Sequence, residues 1–209
     1  MPATLASPAA EMFEYLAPEM PFVARSVIAN RWLFDPLLLR QLEAKPATNA
    51  VIRTTIAPTI ISGGVKENVI PQSARATFSV RLLPGDSVAS VIEHVRATVS
   101  DPDVTVRQGS KPSSEPSAIS DANSPSFASL HQTVRQVFPD VVIAPGLLIG
   151  RTDSRYYAGI ADNSYRFLPM RLGPLDLKRI HGTDERISVK NYIEIIRFYA
   201  QLLRNTAMQ

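Results

Sequence analysis

Between Ala74 and Leu82 apolar and polar positions alternate one for one. Ala74, Ala76, Phe78, Val80 and Leu82 take one face; Arg75, Thr77, Ser79 and Arg81 take the other. A period of two predicts a half-buried strand. The Val-, Ile- and Thr-rich run from Val51 to Ile61 predicts a second strand, the partner of the first. Pro58 has no N–H to give to a ladder, so an edge or a bulge is expected there. Gly63-Gly64 predicts a turn, and Pro84-Gly85-Asp86-Ser87 breaks the second strand and caps a helix. From Val88 the period changes. Val88, Val91, Ile92, Val95 and Val99 recur at helical spacing, and Asp103 to Arg107 returns to strand character. Strand, strand, helix, strand predicts an antiparallel sheet covered by helix, an α+β module.

The flanking regions read differently. Residues 1–50 hold short apolar pieces (Ala10 to Leu16, Phe22 to Phe34, Leu37 to Ala44) separated by Pro18, Pro21, Pro36 and Pro46. Broken short helices are expected. The Ser- and Pro-rich stretch 108–125 predicts a connector, with a domain boundary near Ser120. Ser124-Pro125 reads as a cap and first helical position, with Phe127, Leu130, Val134, Val137 and Phe138 as the buried stripe. Val141 to Ile149 predicts a strand buried on both faces, and Tyr165 to Leu168 another strand. Ser188 caps a last helix whose expected buried stripe is Val189, Tyr192, Ile193, Ile196, Ala200 and Leu203. The segment after Ser120 therefore reads as α/β.

Composition narrows the function. In 209 residues, 45% hydrophobic and 20% charged, there is material for one large or two small domains. A net charge of +3, from 22 Lys+Arg against 19 Asp+Glu, is too mild and too dispersed for a nucleic-acid partner. No apolar run approaches the roughly 20 residues of a membrane span. The lack of cysteine removes disulfides, zinc ribbons and thiol chemistry. The first residues lack a basic region followed by an apolar run, so no signal peptide is expected and a soluble protein, cytoplasmic by default, is.

Candidate chemistry centres on Lys178 to Ser188, where a histidine, a tight-turn glycine (Gly182) and two carboxylates (Asp184, Glu185) fall just before a helix. His181 is a metal ligand, a general base or a hydrogen-bonded structural residue; its residue type allows all three. His94 and His131 fall within helical patterns, where a structural role is expected, His94 leaning toward solvent. Arg151 to Arg155 leaves a buried run, where α/β enzymes place ligand loops. There Asp153 is a carboxylate ligand or a backbone anchor. Arg155 is a carboxylate clamp or part of a solvated turn. Arg81, on the polar strand face, and Asn68, between the two strands, have equally plain structural readings. The chain has no H-E-x-x-H, P-loop, G-x-G-x-x-G or G-x-S-x-G, no His-x-Asp and no Glu-Glu pair. A Ser154/Asp153/His181 triad has no support from spacing.

Several stretches, in order, resemble the di-zinc aminoacylase/carboxypeptidase family of metallopeptidases, above all its carboxypeptidase S and N-fatty-acyl-amino-acid hydrolase branch. They are Asn30-Arg31-Trp32-Leu33-Phe34, Thr48-Asn49-Ala50, Arg53-Thr54-Thr55, Lys66-Glu67-Asn68-Val69-Ile70-Pro71, Phe78-Ser79-Val80-Arg81, Pro84-Gly85, Thr152-Asp153-Ser154-Arg155, Tyr165-Arg166-Phe167 and Arg179-Ile180-His181-Gly182. The resemblance implies residues 1–120 as most of a lid, or dimerisation, domain lacking its first strand. It implies 121–209 as the C-terminal segment of a zinc-peptidase-like α/β catalytic domain. It further implies that His181 is a zinc ligand, that Asn68 and Arg81 engage substrate, with Arg81 reading its carboxylate, and that Thr152, Asp153, Ser154 and Arg155 line the pocket. The implied enzyme uses two zinc ions, acts on N-acyl-amino acids or small peptides with a free carboxylate, and forms a homodimer through the lid. The family's H-x-D motif, Glu-Glu pair and remaining acidic ligand are not in this chain. One histidine falls short of the three or four protein ligands a zinc ion needs, so the chain alone is expected to bind no zinc pair and to be inactive. A free-standing, non-catalytic dimerisation or binding module is the alternative, and a serine hydrolase using Ser154 a distant third.

Overall fold

The computed structural model describes residues 1–110, 113–173 and 175–207. Among them are seven α-helices and a two-stranded antiparallel sheet. Two compact units form. The first is Met1–Ile119 with Gly146–Arg151, and the second is Ser120–Pro145 with Thr152–Gln209.

The first unit begins with helices α1 (Ala9–Leu16), α2 (Phe22–Ala29), α3 (Arg31–Glu43) and α4 (Pro46–Asn49). Proline sets most of the breaks: Pro18 sits in a 3-10 turn (Ala17–Glu19), Pro21 precedes α2, and Pro46 opens α4. The expected break at Pro36 does not occur, because α3 runs through it. Pro36 and Trp32, whose carbonyl loses its partner, both face solvent, so water takes the orphaned acceptor. Leu38 and Leu42 on the other side anchor the helix into a core with Ile28 and Ile52. Phe13, Met20 and Leu5 pack around that core.

The sheet comes next in the chain. Strand β1 (Thr55–Gly63) pairs with β2 (Ala74–Arg81) from Thr55 opposite Arg81 to Gly63 opposite Ala74. The register slips between Pro58 and Ile60, a bulge at the proline as its missing donor requires. Gly64 turns the chain with φ +76°, a conformation open to glycine. At the base of the ribbon, buried Thr54 donates to the Asp86 carboxylate and accepts from the Leu83 N–H at 2.8 Å. That pair of bonds ties the entry of β1 to the exit of β2. Ser87 then caps α5 (Val88–Val99) in a reciprocal box with Ser90, and Val91 faces inward.

Two expectations fail here. The ribbon is not half-buried: β2 is exposed along its whole length and β1 from Ala57 onward, so Ile61, Phe78 and Val80 meet solvent. Among the described residues of this chain nothing is layered on either face. No strand forms at Asp103 to Arg107; the Arg96 side chain holds that segment instead, donating to the Val106 carbonyl at 3.0 Å.

In the second unit Ser124 caps α6 (Pro125–Val137), accepting from the Phe127 N–H at 3.1 Å. Ser188 does the same for α7 (Val189–Ala207), accepting from Asn191 N at 3.1 Å. The two helices pack through Val134, Phe138 and Phe198, with Leu130, Val137 and Leu202 around them. Asn205 donates to buried Thr133 at 2.8 Å and to Gln136 at 2.9 Å, fixing the helix pair along its length. The face of α7 that packs is Asn191, Phe198 and Leu202. The expected stripe is the opposite face: Val189, Tyr192, Ile193, Ile196 and Leu203 are bare and Ala200 is half-buried. The strands expected at Val141 to Ile149 and Tyr165 to Leu168 are irregular segments with no ladder. A strand exists only through a neighbour's hydrogen bonds, and the described residues offer these segments none.

Candidate functional site

His181 stands in the loop between Asp176 and Ser188. Asp176 anchors that loop. Its carboxylate accepts from Gly173 N at 2.8 Å and from Arg179 Nη1 at 2.6 Å. The first of these bonds, and then the Arg179 charge, hold Asp176 below the ordinary carboxylate range. The tight position is not the expected Gly182 but His181 itself, with φ +59°; Asp184 comes soon after at +65°. Gly182 is needed for another reason. A Cβ there would approach the Lys178 carbonyl oxygen to 3.2 Å and that of Arg179 to 3.4 Å. The two carboxylates serve the backbone and a neighbouring cation: Glu185 accepts from His181 N at 3.2 Å, and Asp184 pairs with Arg186 at 2.7 Å. The imidazole is thus presented, exposed, on a residue held in left-handed backbone.

The second group lies in Thr152 to Arg155. Thr152 caps a 3-10 turn (Asp153–Tyr157), and its hydroxyl lies 2.6 Å from that of Ser154. Arg166, twelve residues on, donates through Nε to Ser154 Oγ at 2.6 Å. A serine nucleophile needs a base within hydrogen-bond reach; the Ser154 hydroxyl is held by a hydroxyl and a guanidinium. Arg155 lies over the Tyr156 ring, 4.4 Å from its centroid, and donates Nη2 to the Tyr156 hydroxyl. Arg155 Nε and Nη1 are buried without an acceptor among the described residues. Leaving guanidinium donors unsatisfied is costly, which suits a group that an anion completes. Asp153 is exposed. Sequence alone gives Arg166 and Tyr156 no individual role. The Tyr165-Arg166-Phe167 stretch is visible in it, but the contact of Arg166 with Ser154 depends on how the intervening loop turns back.

Asn68 and Arg81 occupy opposite ends of the β1–β2 ribbon. Asn68 is exposed in the hairpin tip. Arg81 ends β2 at its base, so the eight residues of β2 set them about 25 Å apart. The structure does not bring these two together within one chain. Arg81 donates Nη1 to the Ile149 carbonyl at 2.9 Å, which attaches the ribbon base to segment 146–151 of the same unit. His94 is half-buried, with Nε2 3.3 Å from the Met1 amino nitrogen, rather than leaning to solvent. His131 is half-buried beside Phe127.

The residues present do not by themselves fit a metal centre. Among the described residues no group of three His, Asp or Glu side chains is placed to hold an ion. The most connected charged group is structural. Arg171 bridges Asp140, at 3.0 and 3.2 Å, and Glu194, at 3.0 Å. Its hydrogen bonds hold both carboxyl groups below their ordinary range, and theirs raise the Arg171 pKa.

Comparison with known proteins gives three kinds of result. Residues 19–107 match the family of the peptidase dimerisation domain. A probable carboxypeptidase S-like protein of Dictyostelium discoideum is 43% identical over 195 residues, which is 93% of this chain and 37% of that protein. An N-fatty-acyl-amino acid synthase/hydrolase of Homo sapiens is 42% identical over 195 residues, 93% of this chain and 39% of its own length. Carboxypeptidase S of Saccharomyces cerevisiae is 25% identical over 201 residues, covering 80% and 34%. The chain therefore spans well under half the length of these relatives. No solved structure matches. Among the described residues no helix is long and apolar enough to cross a membrane.

Proposed function

We propose that this chain, whose residues 19–107 match the family of the peptidase dimerisation domain and which is similar to a carboxypeptidase S-like protein and an N-fatty-acyl-amino acid synthase/hydrolase, works as part of a longer, zinc-dependent amidohydrolase. Its substrates are N-acyl-amino acids or small peptides that keep a free carboxylate. The observation that carries the reading is the 43% identity with a carboxypeptidase S-like protein across 93% of the chain.

In this reading residues 1–120 are the lid and 121–209 the C-terminal segment of the catalytic domain. Arg81 and Arg155 are the groups that read substrate charge. A guanidinium offers several donors in a planar fork that matches a carboxylate. Asn68 reaches substrate from the ribbon tip, some 25 Å from Arg81 in the same chain. That separation is natural if the tip serves the site of a second copy, and the bare ribbon is the surface through which a homodimer forms. Thr152, Asp153 and Ser154 shape the pocket wall. His181 is one ligand of a metal whose other ligands are supplied from outside this chain, so the chain alone is inactive.

The test has two arms. The purified 209-residue chain, dosed with zinc, is assayed for metal content and for release of amino acid from a fatty-acyl amino acid. We expect neither bound zinc in stoichiometric amount nor turnover; two tightly held zinc ions would sink the reading. In the longer protein Arg81→Ala is expected to raise KM at least tenfold for carboxylate-bearing substrates while kcat changes less. Equal KM values would remove Arg81 from its role.

A second reading has its own support. The matched domain, residues 19–107, falls within the first unit, so a free-standing dimerisation module is the alternative. A native mass equal to that of this chain, with no associated activity, selects it.

A further inference from the structure

Arg81 gives one donor to a backbone carbonyl and keeps an edge open. At the end of β2 its Nη1 donates to the Ile149 carbonyl at 2.9 Å, across 68 residues of sequence. Among the described residues this is the one hydrogen bond found for Gly146 to Arg151. The segment joins no ladder, and Leu148 and Ile149 are 46% and 40% exposed. Only Leu147 is drawn inward, lining a small cavity with Pro8, Val51 and Leu83 of the same unit. The donors Nε and Nη2 of Arg81 meet no acceptor among the described residues. In a guanidinium these two point side by side, the spacing of a carboxylate's oxygens.

We propose that Arg81 is a bridge. Its Nε–Nη2 edge takes the free carboxylate of the substrate while Nη1 keeps the Ile149 carbonyl, so that carboxylate binding tightens segment 146–151. The inference rests on the reading of the chain as part of an N-acyl-amino-acid hydrolase, and it adds a positioning task to the recognition given to Arg81 there. The two acceptors do not compete, because a bidentate carboxylate occupies one edge of the planar fork and leaves the far donor free. They reinforce each other. A long exposed side chain loses rotamer freedom when it is first held. That loss occurs once, with whichever acceptor arrives first, and the second finds the guanidinium already fixed. Such coupling is reciprocal: a carboxylate steadies the segment, and a steadied segment binds carboxylate more tightly. Ile149 lies three residues before Thr152 in the chain, so the segment leads straight into the Thr152 to Arg155 group proposed as pocket wall. Recognition of the substrate's charge is thereby passed to the start of the group that shapes its pocket. An amide in place of the carboxylate makes no charged bidentate pair and has no such effect.

The chain has no cysteine, so Leu148→Cys accepts a single nitroxide, and electron spin resonance then reads the mobility of the segment. The labelled 209-residue chain is titrated with N-acetyl-leucine and, separately, with N-acetyl-leucinamide. A slow component is expected without ligand, growing with N-acetyl-leucine and indifferent to the amide. Arg81→Ala is expected to remove both the slow component and its growth, with circular dichroism and melting unchanged. If that variant melts early, the contrast between acid and amide in the chain with Arg81 intact decides alone. A spectrum that ignores N-acetyl-leucine overturns the proposal, and so does equal growth with acid and amide. A folded Arg81→Ala chain whose label stays slow overturns it as well. The readout separates this inference from the proposed activity. A KM raised by Arg81→Ala in the longer protein, beside a label that never responds, defeats the bridge alone. A responding label in a longer protein that hydrolyses nothing defeats the activity alone.

Discussion

The β1–β2 ribbon and the α6–α7 pair each leave an apolar face uncovered, but they do so from opposite starting points. Among the described residues the ribbon has no side packed; its order comes from ladder hydrogen bonds and the Thr54 tie at its base. The helix pair has one side fully packed, with three buried apolar residues and an Asn205–Thr133 bond holding it. A helix satisfies its own backbone, so its bare face is a matter of apolar area alone. A ribbon also exposes two edges, each a row of unpaired donors and acceptors that a further strand can extend. The contrast teaches that the two surfaces invite different partners. The ribbon suits pairing with another strand, and the helix suits coverage by a packed layer.

Substitutions sharpen this contrast. The largest effect is expected from Phe198→Ala, which empties the packed side of α7. It should cost about 3–5 kcal/mol, read as loss of the cooperative thermal transition, whereas Ile196→Ala on the open side should stay within about 0.5 kcal/mol. Equal effects at the two sites would mean that both faces are covered. Ile52→Ala, in the helical core below the ribbon, is expected to cost about 2–5 kcal/mol in urea unfolding. Ile61→Ser on the ribbon should barely move the same midpoint. Thr54→Val removes the tie and leaves the Leu83 N–H without its acceptor, at about 1–3 kcal/mol. Hydrogen exchange should then speed at the base of the ribbon before it speeds in α7; a uniform change would show that Thr54 is not a local staple.

The smallest effect concerns charge. Asp140 and Glu194 have folded-state pKa values below those of the unfolded chain because Arg171 donates to both. Their contribution is complete above the unfolded carboxylate values, about 4, and disappears as pH falls through the folded-state values. The melting temperature of the chain should therefore drop, as pH falls below about 4, more steeply than that of Arg171→Met. Parallel curves would show the bridge to be idle, as exposed pairs often are.

The sequence displays the pieces better than their burial. Ser87, Ser124 and Ser188 cap helices because a hydroxyl beside a helix start satisfies an orphan N–H, a purely local rule. Pro58 marks the bulge for an equally local reason. Periodicity assigns the bare stripe of α7 to the core, since it reports that a face is apolar and not what meets it; Phe198 and Leu202 lie on a second face with fewer apolar residues. The ribbon misleads in the same way, as alternation describes a layered sheet and this chain adds no layer. The strands expected at 141–149 and 165–168 depend on neighbours, which no local pattern supplies. At the site, the loop around His181 is visible as a chemical grouping. The contact of Arg166 with Ser154, a product of tertiary folding, is not.

The left-handed backbone at His181 has an evolutionary reading. An L-residue in that region gives up roughly 1 kcal/mol that glycine does not. His181→Gly is therefore expected to raise the melting temperature slightly, by up to about 1 kcal/mol of stability. A laboratory selection rewarding heat resistance alone would drift toward glycine at this position and discard the imidazole, so thermal robustness and the possession of an imidazole compete for a single codon.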